Sequence, residues 1–337
     1  MDPSHSSRRI AFSFTLGTFD IERMNPDLWS YDDECGSAYV QLDGCWSRLL
    51  PALGKIGWLM ACAPSSPVTA AVALKEARFG PVPDSHDWVC LETGVEICAA
   101  KLGGVLATLE PLEGAQQSAA LQFFDLNGEG CLKLLITNRS DVTAFQHLVR
   151  RHAMAHHLSL FGPAGSAAAL VLGTEPDAQA VRSLWGGLRR TLPTSAFPGL
   201  EGVSRRRALG VAGPQHAWQI RETAVMPLIR AMTLADAPLG IGVRNEAVFL
   251  PAGMCPTHWA DCCCGTTFFA GTSQLTLRQE LSQAQAWATR FEVRGRESLC
   301  LEIYDYGGNF RAGLGLCPEA APTHHIQWNH WLREAAC

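Results

Sequence analysis

Little in this sequence is basic. Lys and Arg total 27 residues against 32 Asp and Glu, so the 337-residue chain carries a formal net charge of −5. Without a basic excess a surface cannot displace counterions in bulk, so nucleic acid is not expected as a partner. At 18% charged and 47% hydrophobic residues, the chain is neither disordered nor a polyelectrolyte. An unbroken apolar span is also missing. Ile56 to Leu74 is uncharged, but Pro64-Ser-Ser-Pro67 interrupts its centre, and lipid would leave those backbone groups without partners. Two soluble segments joined by a turn fit better. Ser7-Arg8-Arg9 with Ile10 to Phe19 is too short for a twin-arginine signal, is followed at once by Asp20, Glu22 and Arg23, and lacks a small-residue cleavage site. These absences predict a cytoplasmic protein with no membrane partner and a small ligand. Walker loop, G-x-S-x-G elbow, H-E-x-x-H helix and G-x-G-x-x-G fingerprint are all absent, which removes most support for common hydrolase and dinucleotide chemistries. Gly240-Ile-Gly242 alone is too weak to use.

What the chain does contain is cysteine and an internal echo. Thirteen cysteines are many, but a chain this long needs no disulfide framework. Cys62, Cys90, Cys98, Cys131 and Cys300 sit among apolar neighbours, where a thiol behaves as a small hydrophobe. The segment Leu121-Gln-Phe-Phe-Asp125-Leu-Asn-Gly128 recurs 180 residues later as Leu301-Glu-Ile-Tyr-Asp305-Tyr-Gly-Gly308. Each copy reads as a strand entering a tight turn, with a second strand (Cys131 to Thr137; Phe310 to Leu316) and a helix beyond. Ser140-Asp141 caps the first of these helices, with Val142, Phe145, Leu148 and Val149 on one face. The second runs from about Thr323 through Trp328, Trp331, Leu332 and Ala335. Upstream, a Trp46–Leu53 helix leading into Ile56 to Ala61 has its counterpart in Val225 to Leu234 leading into Leu239 to Val243. The expected fold is α+β, a tandem repeat of two similar units, each an extended antiparallel sheet with flanking helices. Residues 1–155 form the first repeat with an N-terminal extension, 156–175 a connector, and 176–337 the second repeat.

Three constellations could carry chemistry. Cys255-Pro-Thr-His258 with Cys262-Cys263-Cys264 offers thiolates and imidazole for zinc or an iron–sulfur cluster. Three consecutive cysteines cannot all face one ion, because alternate residues of an extended chain point to opposite sides. Incidental thiols are the alternative. His147, His152, His156 and His157 cluster near a helix end; 152 and 156 share a face that could clasp a metal, but no carboxylate lies nearby in sequence to orient either ring, and a solvated helix end whose basic residues complement the dipole fits better. From Arg182 to Arg207, six arginines (182, 189, 190, 205, 206, 207) face only Glu201, a surface suited to an anionic ligand or simply a solvated one.

The repeated hairpin, with Lys133 and Ser140-Asp141 after it, resembles the first repeat of the haemin-degrading, haem-trafficking family (the HemS/ChuX type). The likeness extends to Leu42-Asp-Gly-Cys-Trp-Ser-Arg-Leu-Leu before Leu53-Gly-Lys-Ile-Gly57. In the second half it takes in Ser273-Gln-Leu-Thr-Leu-Arg-Gln-Glu-Leu, Trp287-Ala-Thr-Arg290 and Leu301-Glu-Ile-Tyr-Asp, so it covers roughly residues 40–335. The resemblance implies two similar halves and one haem, with a histidine and an arginine at its iron. The chain departs from that pattern where haem would be touched. The haem histidine's helix is matched best by Ala180-Val181-Arg182-Ser183-Leu184-Trp185, which puts Arg182 in the ligand's place. A guanidinium stays protonated and has no ready lone pair for iron. The first-half arginine segment reads Glu96-Ile97-Cys98-Ala-Ala-Lys101, with Lys101 near but out of register. The resemblance therefore implies a haem (haemin) binding, trafficking or degradation protein of iron and haem utilisation with altered or lost axial ligands. It makes Arg182, Arg290 and Lys101 the cofactor contacts and Cys255, His258 and His216 the metal-ligand candidates. The partners expected are haem or another anionic small molecule, and a protein partner in haem transfer. A non-haem binding or interaction module on the same fold and a thiol-ligated metal protein are the alternatives.

Overall fold

The computed structural model describes residues 29–32, 36–85, 87–111, 117–154, 175–185, 203–293 and 296–337. The expected connector lies outside these residues except for Glu175. The first half runs β1 (Ser30–Asp32), β2 (Ser37–Leu42), α1 (Trp46–Ala52), β3 (Gly57–Ser65) and β4 (Val68–Leu74). Three short strands follow, β5 (Phe79–Pro81), β6 (Asp87–Cys90) and β7 (Glu96–Cys98). Then come β8 (Leu102–Pro111), β9 (Gln117–Asp125), β10 (Gly130–Ser140) and α2 (Val142–His152). In the second half α3 (Ala178–Trp185) and α4 (Arg205–Ala212) precede β11 (Ala217–Ile220) and α5 (Glu222–Leu234). The chain continues through β12 (Leu239–Arg244), β13 (Val248–Met254), β14 (His258–Cys262), β15 (Gly265–Ala270) and β16 (Ser273–Arg278). It closes with β17 (Gln285–Val293), β18 (Arg296–Tyr304), β19 (Phe310–Leu316) and α6 (Pro322–Glu334).

The strands build two antiparallel sheets, ordered β1-β2-β8-β9-β10-β3-β4-β16-β15-β14 and β11-β17-β18-β19-β12-β13-β7-β6-β5. Apart from β1, one order becomes the other when each strand is replaced by its counterpart in the other repeat. The two-repeat α+β reading holds, with one difference. Each half hands three strands to the other's sheet, β16 pairing with β4 through Gln274↔Ala71 to Leu277↔Val68, and β7 with β13 through Val248↔Ile97 and Phe249↔Glu96. The donated segments are too short to bury an apolar face alone, so they complete themselves on the neighbouring edge.

The repeated hairpins match closely. Asp125 and Asp305 each donate a backbone N–H to the carbonyl of the residue four further on and accept that residue's N–H on a side-chain oxygen, and Gly128 and Gly308 close the loops at φ 81 and 79. Each is a three-residue loop with glycine at its left-handed position, so the second residue of each Asn-Gly or Gly-Gly pair takes the positive φ. Asp141 caps α2 by accepting from the Ala144 N–H at 2.9 Å, and Phe145, Leu148 and Val149 are buried beneath it. Within the Pro64–Pro67 interruption, Pro64 and Ser65 end β3 and Ser66-Pro67 form the turn into β4. One core cluster joins the halves. It takes Leu59, Leu121 and Leu134 from one sheet, Ile241, Leu301 and Leu314 from the other, and Leu50, Phe145, Ile229 and Trp328 from α1, α2, α5 and α6. Asn245 ties the sheets further, donating to the Pro64 and Cys131 carbonyls at 3.0 and 2.6 Å. No described helix is long and apolar enough to cross a membrane.

Candidate functional site

Helices α3 and α4 pack on the other face of the second sheet, in a cluster of their own with Val181, Trp185, Leu209, Trp287, Tyr304 and Phe310. At its centre lies a charge pair. Arg205 donates to both oxygens of Glu302, each at 2.7 Å, and the two residues are 2% and 0% exposed. Thr289 Oγ1 and the Tyr304 hydroxyl donate to the same carboxylate, so four donors converge on one anion. The guanidinium also lies 5.9 Å from the Trp185 ring and 5.7 Å from Phe291. Burial opposes the charge on Arg205, but Glu302 outweighs it and pushes the titration up. Burial first, then the charge of Glu302, hold the Tyr304 hydroxyl far above its ordinary range, so it remains a donor.

Beyond this pair, over β19, β12 and β13, the same face opens into a cavity of about 400 Å³. Register explains why. Gly240 stands opposite Gly315 and Gly253, while Gly242 stands opposite Gly313 and Pro251. Alternate residues of a strand share a face, so this glycine set and Glu302, opposite Gly313, lie on one side of the sheet. The first repeat carries side chains at the equivalent places, with Leu135 opposite Met60, Lys133 opposite Cys62, and Ala73 and Ala71 beyond. At Gly240, Gly253 and Gly315 neither backbone nor crowding demands glycine. None of the three has positive φ, and an added Cβ would meet nothing closer than 3.9, 3.8 and 3.6 Å. Glycine weakens a strand by roughly 0.5–1 kcal/mol relative to alanine, and what it does here is clear a flat floor. Val72, Ala73, Thr93, Ser273, Leu316 and Cys317 line the rest. The Thr93 hydroxyl has no hydrogen-bond partner among the described residues, and burial raises the Cys317 thiol to about 11.

The structure brings three of the six expected site residues together and scatters the others. Arg182, His216 and Arg290 meet at the β11–β17 edge. Arg182 is exposed on α3 and donates to the Ala212 and Val211 carbonyls at 3.2 and 3.4 Å, satisfying the C-terminal end of α4. The His216 ring lies 5.7 Å from Trp185. Burial, then Arg290 and Arg182, hold its imidazole below the ordinary range and therefore neutral at pH 7. Arg290 turns its guanidinium to Glu297, 3.4 Å away, which also receives Arg333 of α6. Lys101 sits apart, 3.7 Å from Glu246. The Cys255 thiol donates to the Asp236 carbonyl at 3.2 Å, while His258 stacks on Phe269 at 4.9 Å. Among the described residues no three metal-ligating groups converge.

The basic stretch divides in the same way. Arg205 is buried against Glu302, and Arg206 bonds Gln285 and covers Trp287 at 4.7 Å. Arg189, Arg190 and Glu201 lie outside the described residues, as do His156 and His157. His152 is 4% exposed, which corrects the solvated reading for that ring, while His147, Arg150 and Arg151 of the same helix are exposed. Sequence reasoning passed over the glycine floor and Glu302, although both left a signal. Gly240-Ile-Gly242 and Gly313-Leu-Gly315 alternate at strand period, and Glu302 interrupts an apolar strand where the first repeat has Gln122.

No sequence-family model matches the chain, and no curated protein matches it in sequence. Solved structures do. The chain is similar to holo-PhuS, a heme-binding protein from Pseudomonas aeruginosa, with TM-score 0.75, 22% identity, and 89% of this chain and 87% of that chain covered. It is similar to the Escherichia coli O157:H7 heme degrading enzyme ChuS, with TM-score 0.73, 18% identity, and the same coverage of 89% and 87%. The chain therefore shares its overall fold with PhuS and ChuS.

Proposed function

We propose that this chain binds haem, for trafficking or degradation, on the glycine floor of its second sheet. The observation that carries the reading is the set of glycines at 240, 253 and 315, which keeps a planar apolar surface clear in one repeat only. The volume, about 400 Å³, falls within the usual range for small-ligand sites. Haem, when bound, supplies a flat macrocycle and a redox-active iron. Among the lining residues Cys317 is the side chain with a lone pair suited to iron, so it would hold the metal in place of the missing histidine. The likeness to PhuS and ChuS supports haem as the ligand, because those proteins are described as heme-binding and heme-degrading.

Titration of purified protein with haemin tests the proposal, read by a Soret band and by tryptophan quenching. Gly240→Val and Gly253→Val put branched side chains on the floor and are expected to weaken haemin at least about tenfold, or about 1.4 kcal/mol. Both should fold, because β-branched residues suit strands and the space is open. Cys317→Ser should change the Soret shape, whereas His216→Ala should not. Unchanged haemin affinity in both valine variants would remove the site from consideration. One observation favours a second reading: among the described residues no cation lines the cavity, which suits an uncharged planar ligand better than the dianionic haem. Under that reading wild-type protein gives no Soret band.

A further inference from the structure

We propose that Cys262 and Cys264 form a thiol–disulfide exchange site at the tip of the β14–β15 hairpin, accepting a disulfide bond from small-molecule disulfides such as glutathione disulfide. The reading is independent of haem. Cys262 ends β14 and pairs with Gly265, which leaves Cys263 and Cys264 as a two-residue loop. The tight turn brings the Cys262 and Cys264 sulfurs to 2.8 Å. Among the described residues no other cysteine pair is held in this way. Cys62, Cys90, Cys131, Cys300 and Cys317 are buried, while Cys262 is exposed and Cys264 half-buried. The hairpin is fixed from behind. Gly265 has φ +145, and a Cβ there would lie 2.1 Å from the Leu277 carbonyl oxygen, so the turn is pressed against β16.

The hydrogen bond from Cys264 holds the Cys262 thiol below its ordinary range and pushes its own thiol up, which makes Cys262 the attacking sulfur and Cys264 the resolving one. In the first step the Cys262 thiolate attacks one sulfur of glutathione disulfide. A Cys262–glutathione bond forms, the original disulfide breaks, and one glutathione thiolate leaves. In the second, Cys264 gives its proton to solvent and attacks Cys262 Sγ. The Cys262–Cys264 bond forms and the second glutathione thiolate leaves. The protein dithiol is oxidised by two electrons, and one small disulfide is reduced to two thiols.

The full-length protein, reduced and freed of reductant, would be exposed to glutathione disulfide and mapped by peptide mass spectrometry. The peptide spanning 262–264 should lose two hydrogens at least about tenfold faster than Cys255 or Cys337 gains a glutathione. Cys264→Ser should instead accumulate one glutathione on Cys262, because the resolving sulfur is gone. Cys263→Ser should behave as wild type. A disulfide through Cys263, or modification of 262–264 no faster than at Cys255 and Cys337, would overturn the proposal.

Discussion

Arg205→Ala removes one side of the buried charge pair and leaves the Glu302 side chain at zero exposure without its cation. Breaking such a pair from one side costs about 3–5 kcal/mol, because the remaining charge has lost its partner but not its burial. Thr289 and Tyr304 still donate to the carboxylate, which puts the expected loss near the lower end, about 3 kcal/mol. At roughly 2 °C per kcal/mol, the low end of the scale for larger domains, melting should fall by about 6 °C. Urea unfolding followed by tryptophan fluorescence, with calorimetry beside it, would measure both. The sharper test is Arg205→Met combined with Glu302→Gln. This pair of changes deletes both charges yet keeps an amide oxygen to accept from the two hydroxyls. It also restores the residue type that Gln122 supplies in the first repeat. The double variant should lose less than Arg205→Ala alone. If Arg205→Ala costs under about 1 kcal/mol, or the double variant costs as much as the sum of its parts, the pair is solvated and the argument for a sealed network fails.

Burial holds the His152 imidazole below its ordinary range, against the opposing pull of Asp43. A depressed pKa contributes stability that is present above about 6.5 and lost as pH falls through it. The urea midpoint should therefore be lower at about pH 5.5 than at about pH 7.5, and His152→Gln should flatten that slope; a midpoint that rises on acidification contradicts the burial. Gly103→Ala should cost about 1–3 kcal/mol, because its Cβ would sit 2.4 Å from the Asp125 carbonyl oxygen. Gly57→Ala, strained only by φ +76 with nothing within 4 Å, should cost about 1 kcal/mol. Equal losses in the two alanine variants would show that crowding at Gly103 is relieved elsewhere.

Local features of the fold were legible in the sequence because their causes are local. Asp141 announced the start of α2, the glycines of the two hairpins announced their turns, and Trp328 with Leu332 marked the buried face of α6. The exchange of β5–β7 for β14–β16 was not legible. A three-residue strand such as Glu96-Ile97-Cys98 shows which side chains share a face but not which edge it will join. The site divides similarly. Arg182 drew notice through what it replaces, yet its work is to bond carbonyls at the end of α4, a contact set by two helices meeting in space. The floor needed three strands in register before its glycines became one surface, so no single G-x-G could announce it.

The exchanged strands have a consequence for any attempt to divide the molecule. Cut within the segment between α2 and α3, the first piece would carry β5–β7 with no sheet to extend, while its own sheet would end at an unpaired β4. The second piece would be stranded in the mirror-image way, with β13 bare and β14–β16 homeless. Each fragment is the missing edge of the other, so co-expressed halves should find one another and assemble, and either half alone should aggregate through its open strand. What looks on paper like two modules in series is a pair of interlocked pieces, and the gene is divisible where the protein is not.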